Sequence, residues 1–115
     1  MTLPDDELLV LIYDLLYRLG AKATHTGFFY TARATLLSLR SPDLLMQTTK
    51  SLYPEVAMHY NTSWQCVERC IRYTLSTIWD DHPYCFQRVT DYYSTTRPTP
   101  TEFIALLVQT ISLCQ

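Results

Sequence analysis

Five polar residues between positions 65 and 76 are of the types that read nucleic-acid bases. Gln65, Glu68, Arg69, Arg72 and Ser76 recur every three or four residues, and at about 100° per residue they share one side of a helix. Val67, Cys70, Ile71, Thr74 and Ile78 share the opposite side, so one face packs while the other stays free. An arginine can grip N7 and O6 of guanine, and a glutamate can accept from N4 of cytosine. The same pattern also fits a plain helical hairpin with a solvated polar face, and the spacing alone does not separate the two.

Other chemistry is weaker. Cys66 and Cys70 stand four apart, with His82 and Cys85 downstream, but neither pair has zinc-knuckle spacing, and a half-buried cysteine is more often a small core residue. No metal and no cofactor are expected. His25 and His59 are joined to no serine, cysteine or paired carboxylate in a catalytic arrangement, and no glycine-rich phosphate loop is present. The chain is not expected to be an enzyme. Its nine tyrosines, among them Tyr53, Tyr60, Tyr73, Tyr92 and Tyr93, could stack on bases or line a protein interface, yet aromatic residues at helical spacing are usually core.

The elements that must hold the polar stripe are helices, because the segments between two glycines and six prolines repeat with helical rather than alternating period. A first helix is predicted from about Pro4 to Leu19, with Thr2 or Leu3 at the cap, Pro4 in the first turn, and Asp5, Asp6 and Glu7 at the positive end of the dipole. Gly20 stops it. Leu8, Leu11, Ile12, Leu15, Leu16 and Leu19 form its buried face. A second helix, about Thr26 to Leu39, buries Phe28, Phe29, Ala32, Leu36 and Leu37 and ends at Ser41-Pro42. A third starts there and takes in Leu44, Leu45 and Thr48.

Tyr53 to Tyr60 reads as a short helix with Pro54 in its first turn. Asn61 tolerates the left-handed turn, and Ser63 caps the next helix, Thr62 to about Trp79. An irregular stretch follows with one helical turn near Tyr84 to Thr90. The last helix opens on a capping box, Thr99 with Glu102 three residues on and Pro100 between them, and turns Phe103, Leu106, Leu107, Ile111 and Leu113 inward.

Leu52-Tyr53-Pro54-Glu55-Val56-Ala57, Asn61-Thr62 and Val67-Glu68-Arg69-Cys70-Ile71-Arg72 together resemble the C-terminal DNA-binding effector domain of the sporulation-initiation response regulator of endospore-forming bacteria, the stage zero sporulation protein A family. Leu19-Gly20 with Ala23, Gly27 and Tyr30 is similar to that family's glycine-spaced entry into the second helix. Arg97-Pro98-Thr99 with Glu102-Phe103-Ile104-Ala105 resembles its final helix. The likeness runs from about Leu11 to Leu113. It implies an all-α six-helix bundle containing a helix-turn-helix, with the second helix of the motif in the major groove and copies bound in tandem to a short DNA box. Glu68, Arg69 and Arg72 fall where the family's recognition helix contacts bases.

Some residues depart from the family. Cys66 stands where it has a basic residue, Thr26 replaces another, and the segment after Trp79 is shorter and carries Asp80 and Asp81. No stretch of these 115 residues fits a phosphoacceptor receiver, so a single effector domain over residues 1–115 is expected, without that family's control by phosphorylation.

The charge balance qualifies the DNA reading. The net charge is −2, which argues against phosphate binding, but Arg18 to Arg72 holds seven basic and three acidic residues, a local excess of four positive charges. With 48% hydrophobic and 17% charged residues the chain should fold. No apolar run reaches the roughly 18 residues of a membrane span and no leader opens the chain, so a cytoplasmic protein with reduced cysteines is expected.

The expected function is a sequence-specific DNA-binding transcription regulator, with Ser63, Gln65, Glu68, Arg69, Arg72 and Ser76 on double-stranded DNA, as a homodimer or in tandem copies. The alternative is the same fold used as a protein-protein interaction module, an anti-repressor or co-regulator. The acidic ends and lost basic residues favour the alternative, and the retained Glu68, Arg69 and Arg72 favour DNA.

Overall fold

The computed structural model describes residues 3–114, and its secondary structure is helical throughout, with no strand among the described residues. Helix α1 spans Asp5–Leu19 with its three acids in the first turn. Pro4 is not inside this helix as its sequence position suggests. It is the N-cap, because its ψ of 157° is extended; Leu3 precedes it and Thr2 lies outside the described residues. At the other end Gly20 adopts φ 97°. Ala21 N–H then reaches the Leu16 carbonyl (2.9 Å) and Gly20 N–H the Tyr17 carbonyl (3.0 Å), a closure that needs a left-handed residue at this point.

Helix α2, Thr26–Arg40, is the central element, packing against α1, α4 and α6. Phe28, Ala32 and Leu36 are buried as expected, whereas Phe29 is on the surface, in edge-to-face contact with Tyr13 and Phe28. Thr31, Thr35 and Ser38 are buried in their place. Arg40 anchors this helix to the start of α1 through hydrogen bonds to the Asp5 carboxylate and the Leu3 carbonyl.

The third helix expected after Ser41 is instead two short turns, a 3-10 turn over Pro42–Met46 and a π-turn over Thr48–Leu52. Gln47 between them has φ −142°, ψ 60°, so no helical ladder crosses it. Helices α3 (Tyr53–His59) and α4 (Trp64–Asp81) follow. The region expected to be irregular forms a two-turn helix, α5 (Pro83–Thr90), which buries Phe86 and ends on Asp91 at φ 57°. Helix α6 (Pro100–Cys114) opens on both hydrogen bonds of the capping box: Thr99 N–H to Glu102 Oε1 (2.9 Å) and Glu102 N–H to Thr99 Oγ1 (3.1 Å). Phe103, Ile104, Leu107 and Ile111 are buried, while Leu113, expected on the same side, is 80% exposed.

Candidate nucleic-acid interface

Helix α3 is short, and Tyr53, Val56 and Ala57 bury it. Asn61 turns the chain at φ 55°, and Thr62 N–H closes back on the Ala57 carbonyl (2.9 Å). Ser63, with extended backbone, then caps α4, its Oγ accepting from Cys66 N–H at 3.2 Å. This side-chain oxygen answers one of the orphan donors of the first turn and fixes where the helix begins.

Val67, Ile71, Thr74, Leu75 and Ile78 anchor α4 in the core. Two positions differ from the sequence expectation: Cys70 sits half-buried at the edge, and Leu75 completes the packed face. Where α4 crosses α2 the backbones touch. A Cβ built on Gly27 would fall on the Cys70 carbonyl oxygen and on Thr74 Oγ1. This glycine is present for close approach rather than for backbone freedom.

The free face is then defined. Gln65, Arg69 and Arg72 are exposed, Glu68 and Ser76 are half-buried, and Ser63 lies exposed at the start of the helix. Arg72 Nη2 donates to Glu68 Oε1 at 2.8 Å, one turn back. Ser76 is engaged from elsewhere: Arg97 Nη1 donates to Ser76 Oγ (3.0 Å) and Arg97 Nη2 to Asp80 Oδ1 (3.0 Å). Sequence spacing gave no sign of Arg97 at this face, because it stands in the loop before α6 and arrives there only through the fold.

Arg69 borders a cleft shared with Thr24, His25, Thr26, Gly27, Cys70 and Tyr73, at the start of α2. The His25 and Tyr73 rings meet edge to face, 5.3 Å apart. Cys66 and Cys70 bring their sulfurs to 4.0 Å. The Thr62 hydroxyl, and after it Cys70 and the Arg69 guanidinium, hold the Cys66 thiol below its ordinary pKa against the opposing effect of burial. Of the two downstream metal candidates, His82 packs its ring where a Cβ on Gly20 would fall, and Cys85 is exposed on α5. Among the described residues no three His, Cys, Asp or Glu side chains gather as a metal site. Among the described residues no helix is long and apolar enough to cross a membrane either.

A short helix, a left-handed turn and a longer helix with one polar face define a helix-turn-helix domain within an all-helical bundle. Residues 12–111 match the family described as sporulation initiation factor Spo0A C terminal, and the chain belongs to that family. It is a family of DNA-binding effector domains of transcription regulation.

Proposed function

We propose that the chain is a sequence-specific DNA-binding transcription regulator that lays α4 in the major groove. The observation that carries this is the outer face of α4. Gln65, Arg69 and Arg72 project from a helix whose other face is locked into the core, directly after a capped helix-turn-helix turn. Fixing the helix by packing leaves the side chains to find base edges, with arginine to guanine the commonest specific contact. Glu68 joins this face through its pair with Arg72. Ser63 and Ser76 mark its two ends, where contacts to phosphate set the register. Arg97 extends the surface beyond Ser76. Copies bound side by side on neighbouring boxes would raise affinity that a single copy of a chain with net charge −2 lacks.

The test is selection of bound duplexes from a random library, with wild type and with Arg69→Ala and Arg72→Ala variants. Wild type should enrich a short box, and each variant should lose preference at one base position. Enrichment of no sequence by wild type would sink the proposal.

A second reading rests on the apolar surface beside the same turn. Met58 is 77% exposed and Trp64 36% exposed, and they line one shallow groove that reaches Ser63 and Gln65 at the start of α4. A partner protein seated there would make the domain a co-regulator. Met58→Asp would then abolish partner binding, whereas Arg72→Ala, outside that groove, would leave it intact.

A further inference from the structure

Two thiols stand on the recognition helix, and nothing in the reading of bases uses them. Cys66 and Cys70 are one turn apart and both half-buried. Their sulfurs are 4.0 Å from one another. Cys70 also accepts from Thr26 Oγ1 at 3.6 Å, which fixes its rotamer toward Cys66 from the start of α2. Around Cys66 stand the Thr62 hydroxyl and the Arg69 guanidinium, both of which favour the thiolate. A partly exposed thiol beside a cation, with a second thiol within reach, is the arrangement of a peroxide-sensitive cysteine and its resolving partner.

We infer that Cys66 is an oxidisable nucleophile, that Cys70 resolves it, and that the resulting Cys66–Cys70 disulfide takes the recognition helix out of its reading geometry. The oxidant class is a peroxide. The Cys66 thiolate attacks one peroxide oxygen, the O–O bond breaks, and the leaving hydroxide takes a proton to become water. Cys66 is then a sulfenic acid. Cys70 sulfur attacks Cys66 sulfur, the S–O bond breaks, and hydroxide leaves with the Cys70 proton as a second water. Two thiols have lost two electrons, and the peroxide has been reduced to two waters.

The reduced and oxidised helices cannot have the same shape. Side chains four apart on a helix have Cβ atoms about 5–6 Å apart, whereas a disulfide draws them to about 3.5–4.5 Å. The turn that shortens is the one carrying Glu68 and Arg69. Closing it also pulls on the Cys70 backbone, whose carbonyl lies where Gly27 admits no side chain, so α4 has no slack toward α2 and the distortion falls on the outer face. A strained disulfide is readily reduced, and a dithiol reductant restores the helix. Loss of DNA reading on oxidation rests on the function proposed above; formation of the disulfide does not.

The experiment treats the full chain with hydrogen peroxide, alkylates the remaining thiols, and digests with trypsin. Cleavage after Lys50, Arg69 and Arg72 puts the two cysteines on separate peptides, so their disulfide appears as residues 51–69 joined to residues 70–72. The expected result is that joined pair, absent after reduction, with Cys85 alkylated. In Cys70→Ser, Cys66 should stop at the sulfenic acid. In Cys66→Ser, Cys70 should stay reduced at the same peroxide dose. Oxidation of Cys85 ahead of Cys66, or of Cys66 with no joined peptide, overturns the proposal. A second arm titrates a selected duplex before oxidation, after it, and after reduction. Discrimination from a scrambled duplex should be lost and then regained. If the joined peptide forms while DNA reading is unchanged, the switching role fails and the modification site stands. If the reduced protein selects no duplex, the proposed function fails instead.

Discussion

Arg72 meets Glu68 at 2.8 Å across one exposed turn, and the strength of that pair decides how each side chain behaves at a base. Exposed pairs one helical turn apart contribute about 0.3–0.5 kcal/mol, less than the 1–3 kcal/mol that a bidentate guanine contact discriminates. In the proposed reading Arg72 would leave Glu68 for a guanine and free the carboxylate to accept from cytosine. Arg72→Ala is expected to cost about 1–3 kcal/mol on the preferred duplex and much less on unrelated DNA. Lys50→Ala is the control, an exposed cation away from α4, and should weaken all duplexes alike. Cys66→Arg restores a positive charge one residue before the buried Val67 and should strengthen binding to DNA. Titration of the three variants against a selected and a scrambled duplex checks all of this. The base-reading role of the stripe is untenable if wild type does not separate the two duplexes and neither change in α4 alters its binding.

At the scale of elements, what the sequence revealed depended on whether the signal was local. Gly20, the Thr99–Glu102 capping box and Ser63 act through backbone groups within a few residues, and each stands where its residue type places it. Ser63→Ala should cost about 1 kcal/mol, read from the shift in thermal midpoint, because the Cys66 N–H is then left without its acceptor. Other features were set by partners far along the chain. Phe29 has the same periodicity as buried neighbours, but α2 is enclosed on three sides and its small polar residues Thr31, Thr35 and Ser38 fill the tight contacts. The turns between Pro42 and Leu52 carry apolar residues at helical spacing, and nothing in that spacing marks the break at Gln47. Arg97 reaches α4 from 21 residues beyond Ser76. Gly27 is visible in the sequence as one of two glycines, yet its reason, the Cys70 carbonyl and Thr74 above it, is visible only in the packing. Gly27→Ala must separate α2 from α4. It is expected to destabilise by about 1–3 kcal/mol, measured by urea unfolding, and to weaken DNA binding more than Ser63→Ala does, since it moves the whole of α4.

For the whole molecule, packing and charge make separate demands. Ile71 is fully buried at the centre of the α4 anchor, so Ile71→Ala should cost about 2–5 kcal/mol, a large share of a small domain's stability. A shift of only a degree or two in melting temperature would contradict that burial. Charge sets how firmly the folded domain can hold DNA. The chain has nine Lys and Arg against eleven Asp and Glu, and among the described residues Arg18, Arg40, Arg72 and Arg97 pair with Asp14, Asp5, Glu68 and Asp80. Lys22, Lys50, Arg69 and Arg88 are exposed and in none of those pairs. Each phosphate neutralised on duplex DNA adds about −0.9 to the slope of log K against log salt. With Arg69 directed at bases in the proposed reading, three exposed cations remain for phosphate, and one copy should show a slope no steeper than about −3. Steeper dependence should appear only when a second copy occupies a neighbouring box, which native mass spectrometry of the complex counts directly. A slope well beyond that limit with a single copy bound would mean that the ion pairs of Arg18, Arg40 and Arg97 also open on DNA. The paired arginines, Arg97 foremost because it already lies at the end of α4, would then be phosphate contacts rather than braces of the fold.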